Sequence, residues 1–196
     1  MPNWCTQTIE CFTEDEERVS VKPVLDSLRG EDNKYSFNNV IPMPEELRDS
    51  IADFKVNQAM INKYGFSNWY DWSCAKWGTK WDVAEISKHG KKRGGPFKNQ
   101  PMKMSCQTAW SPACPVWRKI SELNPTIKIH LQYVDECIGN GFGEDIYLNG
   151  EVISERWSDN IQDDYCKDIV EDIYSKEFVE EMIQEIKEYE EEENDH

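Results

Sequence analysis

A strict alternation of apolar and polar residues between positions 127 and 133 is the feature that most limits the folds open to this chain. The apolar members are Ile127, Ile129, Leu131 and Tyr133, and the polar members between them are Lys128, His130 and Gln132. A period of two residues predicts a β-strand with one buried and one solvated face, which is typical of an antiparallel sheet.

A hairpin is predicted shortly after this strand. Asn149-Gly150 separates two runs with strand character, Phe142–Leu148 and Glu151–Ser154. The dipeptide favours a two-residue turn because asparagine and glycine both tolerate the positive φ that such a turn requires. The C-terminal half therefore supplies three strands that can pair in antiparallel fashion.

The remaining chain supplies further strands and several helices. Strands are predicted at Asn3–Phe12, Tyr35–Val40, Asp82–Ser87 and Met102–Trp110. Helices are predicted after the capping box Thr13–Glu16 with Pro23 near the middle, after Pro44 toward Tyr64, over Asn68–Trp77, and after Pro112. The order strand, helix, strands, helix, strands predicts an α+β fold, a ferredoxin-like antiparallel sheet with helices on one face.

One compact domain with additions is expected, because a chain of 196 residues seldom forms separate cores. We place the ferredoxin-like α+β domain at residues 1–157, with an inserted helical and tryptophan-rich segment at 44–101. Residues 158–196 are expected to form an acidic helical extension. An intermittent apolar stripe runs along this extension, with a break near Ser175.

The cellular setting is predicted from what the sequence lacks. There is no apolar run of the roughly 20 residues needed to cross a bilayer, and the first residues do not resemble a signal peptide, so a cytoplasmic protein is expected. Seven cysteines without a Cys-x-x-Cys pair, beside only three histidines, favour reduced thiols. Neither a metal site nor a cofactor is predicted.

Charge is distributed unevenly along this chain of net charge −16. Residues 76–103 carry eight lysines or arginines and two acids, whereas residues 159–196 carry sixteen acids and three lysines. An acidic field repels duplex nucleic acid at long range, so a phosphate-bearing ligand must be small or held locally.

The basic stretch is also rich in tryptophan, which suggests a binding site. Indoles that lie beside cations provide the stacking and charge that hold bases and phosphates. The candidate ligand-binding residues are Trp77, Trp81 and Trp110 for stacking, and Lys76, Lys80, Lys91, Lys92 and Arg93 for phosphate. The alternative interpretation is that the tryptophans build the core around a helix-to-strand corner, while the lysines belong to an exposed loop.

Two acidic features allow other interpretations. Asp135, Glu136, Glu144 and Asp145 flank one loop and could together hold a metal in a nucleotide-degrading enzyme, although turn acids are usually solvated. The acidic segment 159–195 is either a solvated helix surface or a carboxylate array that imitates nucleic acid and binds a host protein.

Three motifs in order carry a family resemblance: Met1–Cys5, Trp77–Asp82 and Thr108–Pro112. Over roughly residues 1–150 the chain resembles the YubB ferredoxin-like (Api92-like) family of phage and plasmid proteins. The resemblance implies a ferredoxin-like domain carried by mobile elements, and it brings no catalytic residues.

The function expected from residues and resemblance together is that of a phage accessory protein that counteracts host defence. It would sequester a small nucleotide signal in the host cytoplasm without turnover. An acidic inhibitor that binds a host defence protein is the alternative, and a metal-dependent nucleotide-degrading enzyme is the second alternative. Two chains could also join to complete one pocket, which would make the protein a homo-oligomer.

Overall fold

The fold is an antiparallel sheet with helices on both faces. A computed structural model describes residues 3–52, 56–89, 100–136, 141–160 and 163–194. The strands are β1 (Trp4–Phe12), β2 (Arg18–Val19), β3 (Ala84–His89), β4 (Lys103–Ala109), β5 (Lys128–Asp135), β6 (Phe142–Leu148) and β7 (Glu151–Ser158). Their order across the sheet is β3-β4-β1-β5-β6-β7, and the short β2 pairs with the end of β1.

Seven α-helices and one short 3-10 helix connect or cover the strands of the described chain. The α-helices are α1 (Lys22–Leu28), α2 (Glu45–Arg48), α3 (Gln58–Tyr64), α4 (Trp69–Lys76), α5 (Cys114–Leu123), α6 (Asp164–Ile173) and α7 (Lys176–Asn194). The 3-10 helix, η1, spans Phe37–Asn39. The segment 44–101, predicted to be a helical insertion, contains α2 to α4 and also β3, an edge strand of the sheet.

The main core lies on the face of the sheet predicted from the alternation in β5. Ile129, Leu131 and Tyr133 are buried there, with helices α1 and α5 packed over them. Trp117 of α5 is fully buried, and its indole Nε1 donates to the side-chain carbonyl of Gln7 in β1 at 2.7 Å. We call the face of the sheet that carries Ile129, Leu131 and Tyr133 the first face. The predicted antiparallel sheet with half-buried strands is confirmed.

A smaller core lies on the second face. Val134 and Phe142 face each other across β5 and β6, and both are buried under α6. Lys103 of β4 adds an ion pair of 2.5 Å to Asp172 near the end of α6. The break predicted near Ser175 is confirmed, because this residue lies between α6 and α7.

Two local predictions are wrong at the start of the chain. The Thr13–Glu16 capping box opens no helix: the Thr13 hydroxyl accepts from the backbone N–H of Glu17 and closes a turn before β2. The helix begins instead at Lys22 with Pro23 in its first turn, where a proline loses no helical hydrogen bond.

Two predictions in the following segment are also wrong. Tyr35–Val40 forms one bridge to Arg29 and then the 3-10 turn η1, not a strand, because polar side chains bind its backbone. The helix predicted after Pro44 toward Tyr64 is interrupted, since α2 ends at Arg48 and a new helix begins after the capping side chain of Asn57. Over the described residues, no helix is long and apolar enough to cross a lipid bilayer.

Candidate ligand-binding cleft

The tryptophan-rich segment forms a sharp corner between α4 and β3. Gly78 has φ +80°, and a Cβ at this position would lie 2.7 Å from Cδ of Pro115. Only glycine avoids both the left-handed strain and this contact. The chain can therefore turn immediately after Trp77 and bring the residues that follow to the surface.

Side-chain hydroxyl groups fix the backbone of this corner. Thr79 donates to the carbonyl of Ala109 at 2.8 Å, and Ser111 donates to the carbonyl of Gly78 at 2.6 Å. Ser73 of α4 donates to the carbonyl of Lys80 at 2.8 Å. These bonds join α4, the corner and the end of β4, so the side chains that the corner presents start from fixed backbone positions.

The first tryptophan of the motif belongs to the core. Trp77 is 6% exposed, and its ring makes edge contacts with Trp72 and Phe37 at centroid distances of 5.3 and 6.2 Å. Its indole Nε1 donates to the carbonyl of Ile41 at 2.9 Å. A buried indole whose N–H already has a partner supports the wall of the cleft and offers little surface to a ligand.

The later residues form an exposed aromatic cluster around one cation. The Lys80 ammonium lies 4.7 Å from the ring centroid of Trp81 and 4.5 Å from that of Trp110. Tyr70 of α4 is the third ring, at 5.8 Å. Trp81 and Trp110 are 38% and 44% exposed, unlike the core indoles. We call Tyr70, Lys80, Trp81 and Trp110 the aromatic cage.

Trp110 occupies an unusual backbone conformation at the end of β4. Its φ is +74°, a region that costs a bulky residue about 1–3 kcal/mol. The backbone N–H of Trp110 donates to the carbonyl of Asn3 at 2.8 Å, and the Thr108 hydroxyl donates to the carbonyl of Ser111 at 2.7 Å. The neighbouring structure thus holds the residue in a strained conformation that keeps its ring at the surface.

A cleft of about 440 Å³ opens beside the aromatic cage. Its lining contains Ser36, Asn38, Met43, Arg48, Trp69, Trp77, Lys80, Trp81 and Asp82. Asp82 is already occupied, because its carboxylate accepts from the Ser36 hydroxyl at 2.5 Å and from the N–H of Phe37 at 2.6 Å.

Asp82 already has hydrogen-bond partners, whereas the two cations of the cleft, Arg48 and Lys80, are not paired with an acid of the described chain. Among the described residues, neither Arg48 nor Lys80 forms an ion pair with a carboxylate. The cleft therefore combines aromatic surface with two cations that are available to an anion.

The other predicted phosphate-binding residues are not part of this arrangement. Lys76 points away from the cleft, with its ammonium 5.7 Å from the ring of Phe66, and it lines a separate depression with Arg118 and Lys119. Lys91, Lys92 and Arg93 lie outside the described residues.

Sequence reasoning missed Arg48, Trp69 and Tyr70. The aromatic density of Asn68–Trp72 could have indicated the last two, whereas nothing in the sequence singled out Arg48.

The four carboxylates considered for a metal do not converge over the described chain. Glu144 points to the second face, where it binds Arg156 and His130, while Asp145 points to the first face and accepts from Tyr147 at 2.5 Å. Burial would raise the pKa of Glu144, but hydrogen bonds from Arg156 and His130 outweigh it and lower that pKa. No group of three or more His, Cys, Asp or Glu side chains suited to a metal occurs among the described residues.

Comparisons with known proteins identify the family. A family model described as a ferredoxin-like domain in Api92-like protein matches residues 76–195, so the match includes the acidic helices that the three sequence motifs left outside. No curated protein matches.

The crystal structure of the protein Api92 from Yersinia pseudotuberculosis is similar at 15% identity and a TM-score of 0.38, over 47% of this chain and 31% of that chain. This chain thus spans less than a third of the Api92 chain. Since the family model covers more than half of the sequence, the chain belongs to the Api92-like family, and its antiparallel sheet is a ferredoxin-like domain.

Proposed function

We propose that this protein binds a small nucleotide in the cleft beside the aromatic cage and sequesters it without turnover. The observation that carries this proposal is the pair of exposed indoles, Trp81 and Trp110, which share the ammonium of Lys80 next to an open cleft. Stacking of a base on such a ring contributes about 1–3 kcal/mol. Lys80 and Arg48 can then bind the phosphate groups of the same ligand.

The charge of the whole chain favours a short ligand over a long nucleic acid. The net charge of −16 repels a polyanion that extends beyond the cleft, while a mononucleotide or a small cyclic nucleotide meets mainly the two local cations. The resemblance to phage and plasmid proteins favours a role for this binding in the conflict between phage and host. We propose that the protein is a phage-encoded accessory protein that removes a nucleotide signal of host defence from the host cytoplasm.

Retention of intact ligand is the direct test. The purified protein is incubated with a panel of cyclic and linear nucleotides, separated from free ligand and denatured, and the released material is chromatographed. Unaltered nucleotide in the released fraction is expected. Altered nucleotide would indicate catalysis, and the absence of retention for every member of the panel would reject the nucleotide-binding function.

Matched variants locate the site. Trp81→Ala should lose retention, whereas Trp157→Ala should not, because Trp157 is also exposed, at 59%, but lies on the edge strand β7. Loss of retention in both variants, or in neither, would show that the cleft is not the binding site.

An acidic inhibitor is the second candidate, and the anchoring of the C-terminal helices favours it. The small core on the second face and the Lys103–Asp172 ion pair hold α6 against the sheet, so the acids on α7 extend from a fixed base. Exposed acids on α7 include Glu177, Glu180, Glu181 and Glu185. Such an array could occupy a basic surface of a host defence protein.

Substitution of the four acids separates the two candidates. Glutamine at all four positions removes the charge and leaves the small core intact, which truncation after Ser158 would not. Phage that carry each variant are used to infect a host that has the defence. The inhibitor function predicts that the quadruple variant no longer protects the phage from the defence and that Trp81→Ala protects it fully. The nucleotide-binding function predicts the reverse.

A further inference from the structure

We infer that Lys80 is a displaceable plug of the aromatic cage: the base of a phosphorylated nucleoside takes the place of the ammonium against Trp81 and Trp110, and the ammonium then binds the phosphate of that ligand. This inference rests on the proposed nucleotide binding and deepens it. It names the ligand class as nucleoside phosphates, and it gives Lys80 the role of selecting them over uncharged nucleosides.

The position of the ammonium carries the first step. It lies over the faces of both indoles, within 4.7 Å of each ring centroid. A base that stacks on either ring from this side needs the same space. The inner faces of Trp81 and Trp110 are therefore open to a base only after the ammonium has moved.

The contacts of Lys80 show that this movement requires little rearrangement. Its backbone is fixed, because its carbonyl accepts from Ser73, but its ammonium lies against three aromatic rings and forms no ion pair with a described residue. A cation over a partly exposed ring is held more weakly than a base stacked on the same ring. The side chain has four rotatable carbon–carbon bonds, so the ammonium can leave the rings while the backbone stays in place.

The destination of the ammonium determines the ligand class. A nucleoside without phosphate displaces Lys80 into solvent and offers it no new partner. A nucleoside phosphate supplies an anion beside the base, and a charge-assisted hydrogen bond to phosphate replaces the ring contacts that were lost. Arg48 lines the same cleft without an ion-pair partner among the described residues, so the cleft favours anionic ligands further.

Calorimetric titration with adenosine and with AMP tests the plug. The wild-type protein should bind AMP about tenfold more tightly than adenosine, the size of one charge-assisted contact. In Lys80→Ala, adenosine should bind at least as tightly as to the wild type, because the rings are uncovered, and the preference for AMP should fall to the smaller preference that Arg48 alone supplies.

Lys76→Ala is the matched control. It removes the same charge from a residue four positions earlier that points away from the cleft, and it should leave both affinities unchanged.

The outcomes distinguish the plug from the proposed function. If Lys80→Ala weakens the binding of adenosine and of AMP equally, Lys80 merely supports the rings. The plug is then rejected, while nucleotide binding stands. If the wild type binds neither ligand and Lys80→Ala binds adenosine, Lys80 blocks the rings and is not displaced by AMP, so the displaceable plug is rejected. Binding of neither ligand to either protein also rejects the plug, whereas the nucleotide-binding function is rejected only if the whole nucleotide panel fails.

A measurement on the wild type keeps the plug testable even if Lys80→Ala does not fold. Protons next to an ammonium that lies over two indoles resonate upfield because of the ring currents. The Lys80 Hε signals should therefore shift downfield when AMP is added. Signals that stay upfield at saturating AMP would show that the ammonium remains in the aromatic cage, and the plug would be wrong.

Discussion

Trp77 and Trp81 are four residues apart in one short motif, yet the protein uses them in opposite ways. Trp77 is buried against Phe37 and Trp72, and its N–H is bound by the carbonyl of Ile41. Trp81 is 38% exposed, next to Lys80, and its ring centroid lies 6.2 Å from that of Trp4. The tryptophan content of this segment therefore serves two purposes, a core and a surface cluster, and composition alone does not separate them.

The residues between the two tryptophans produce this difference. Gly78 allows the backbone to reverse against Pro115, and Thr79 is buried with its hydroxyl bound to the end of β4. After that bond the chain emerges at the surface. The corner thus uses the stability of the buried part to hold the exposed part in a defined position, as binding sites require.

The largest difference between the two tryptophans should be seen in stability. We expect Trp77→Ala to lower the free energy of unfolding by about 3–5 kcal/mol, because it leaves a cavity in the core and an unpaired carbonyl at Ile41. Trp81→Ala should lower it by about 1–2 kcal/mol, since more than a third of the residue is already exposed to water. Urea unfolding followed by circular dichroism measures both values. Equal losses would mean that the two tryptophans do not differ as the structure indicates.

Substitution of Gly78 should disturb the turn that joins the buried Trp77 to the exposed Trp81. Gly78→Ala adds left-handed strain and a contact with Pro115, and we expect a loss of about 2–3 kcal/mol together with weaker nucleotide retention. Gly65→Ala is the matched control: Gly65 also has φ +80°, but a Cβ there meets nothing within 4 Å. It should cost about 1 kcal/mol. Thermal unfolding of the pair separates strain from contact, and similar losses would argue against a tight corner.

Asp82 holds the far side of the corner to η1. Asp82→Ala removes the acceptor for the N–H groups of Phe37 and Val83 and for the Ser36 hydroxyl. We expect a loss of about 2 kcal/mol, because donors are left without partners. Asp82→Asn keeps one acceptor oxygen and should lose about half as much. Denaturant titration measures the free energy of unfolding of the two variants. If Asp82→Ala is as stable as the wild type, the hydrogen bonds of Asp82 do not stabilise the corner.

The sequence predicted the sheet better than it predicted the helices around it. The alternation in 127–133 and the Asn149-Gly150 turn correspond to β5, β6 and β7, because burial on one face imposes a period that can be recognised locally. Tyr35–Val40 also has strand-forming residues, but Asp82 is 45 positions from Phe37 along the chain and binds its N–H. A contact over such a distance in sequence has no local pattern.

The candidate site was predicted in part for the same reason. Trp81, Trp110 and Lys80 stood out by their residue types, and the structure brings all three together. Lys76 has the same chemistry as Lys80, but the helix end at Lys76 directs it to another surface. Arg48 reaches the cleft because α2 packs beside α4 in the tertiary fold. Residue type can be predicted from the sequence, whereas the direction of a side chain depends on the tertiary fold.

The smallest expected effect concerns the strain at Trp110, and it links the exposed cluster to function. At φ +74° a residue with a Cβ is less stable than glycine. Trp110→Gly should therefore be more stable than Trp110→Ala by about 1 kcal/mol, since both variants lack the ring and differ only in strain. Both should lose nucleotide retention, because one of the two indoles around Lys80 is missing.

Differential scanning calorimetry of the two variants at one pH measures the difference in stability. If the glycine variant is not the more stable one, the backbone at this position is not strained. If it is more stable and still retains nucleotide, the strained conformation does not serve binding. A gain in stability that accompanies a loss of retention would show that the fold keeps a strained residue here in order to present its ring to the ligand.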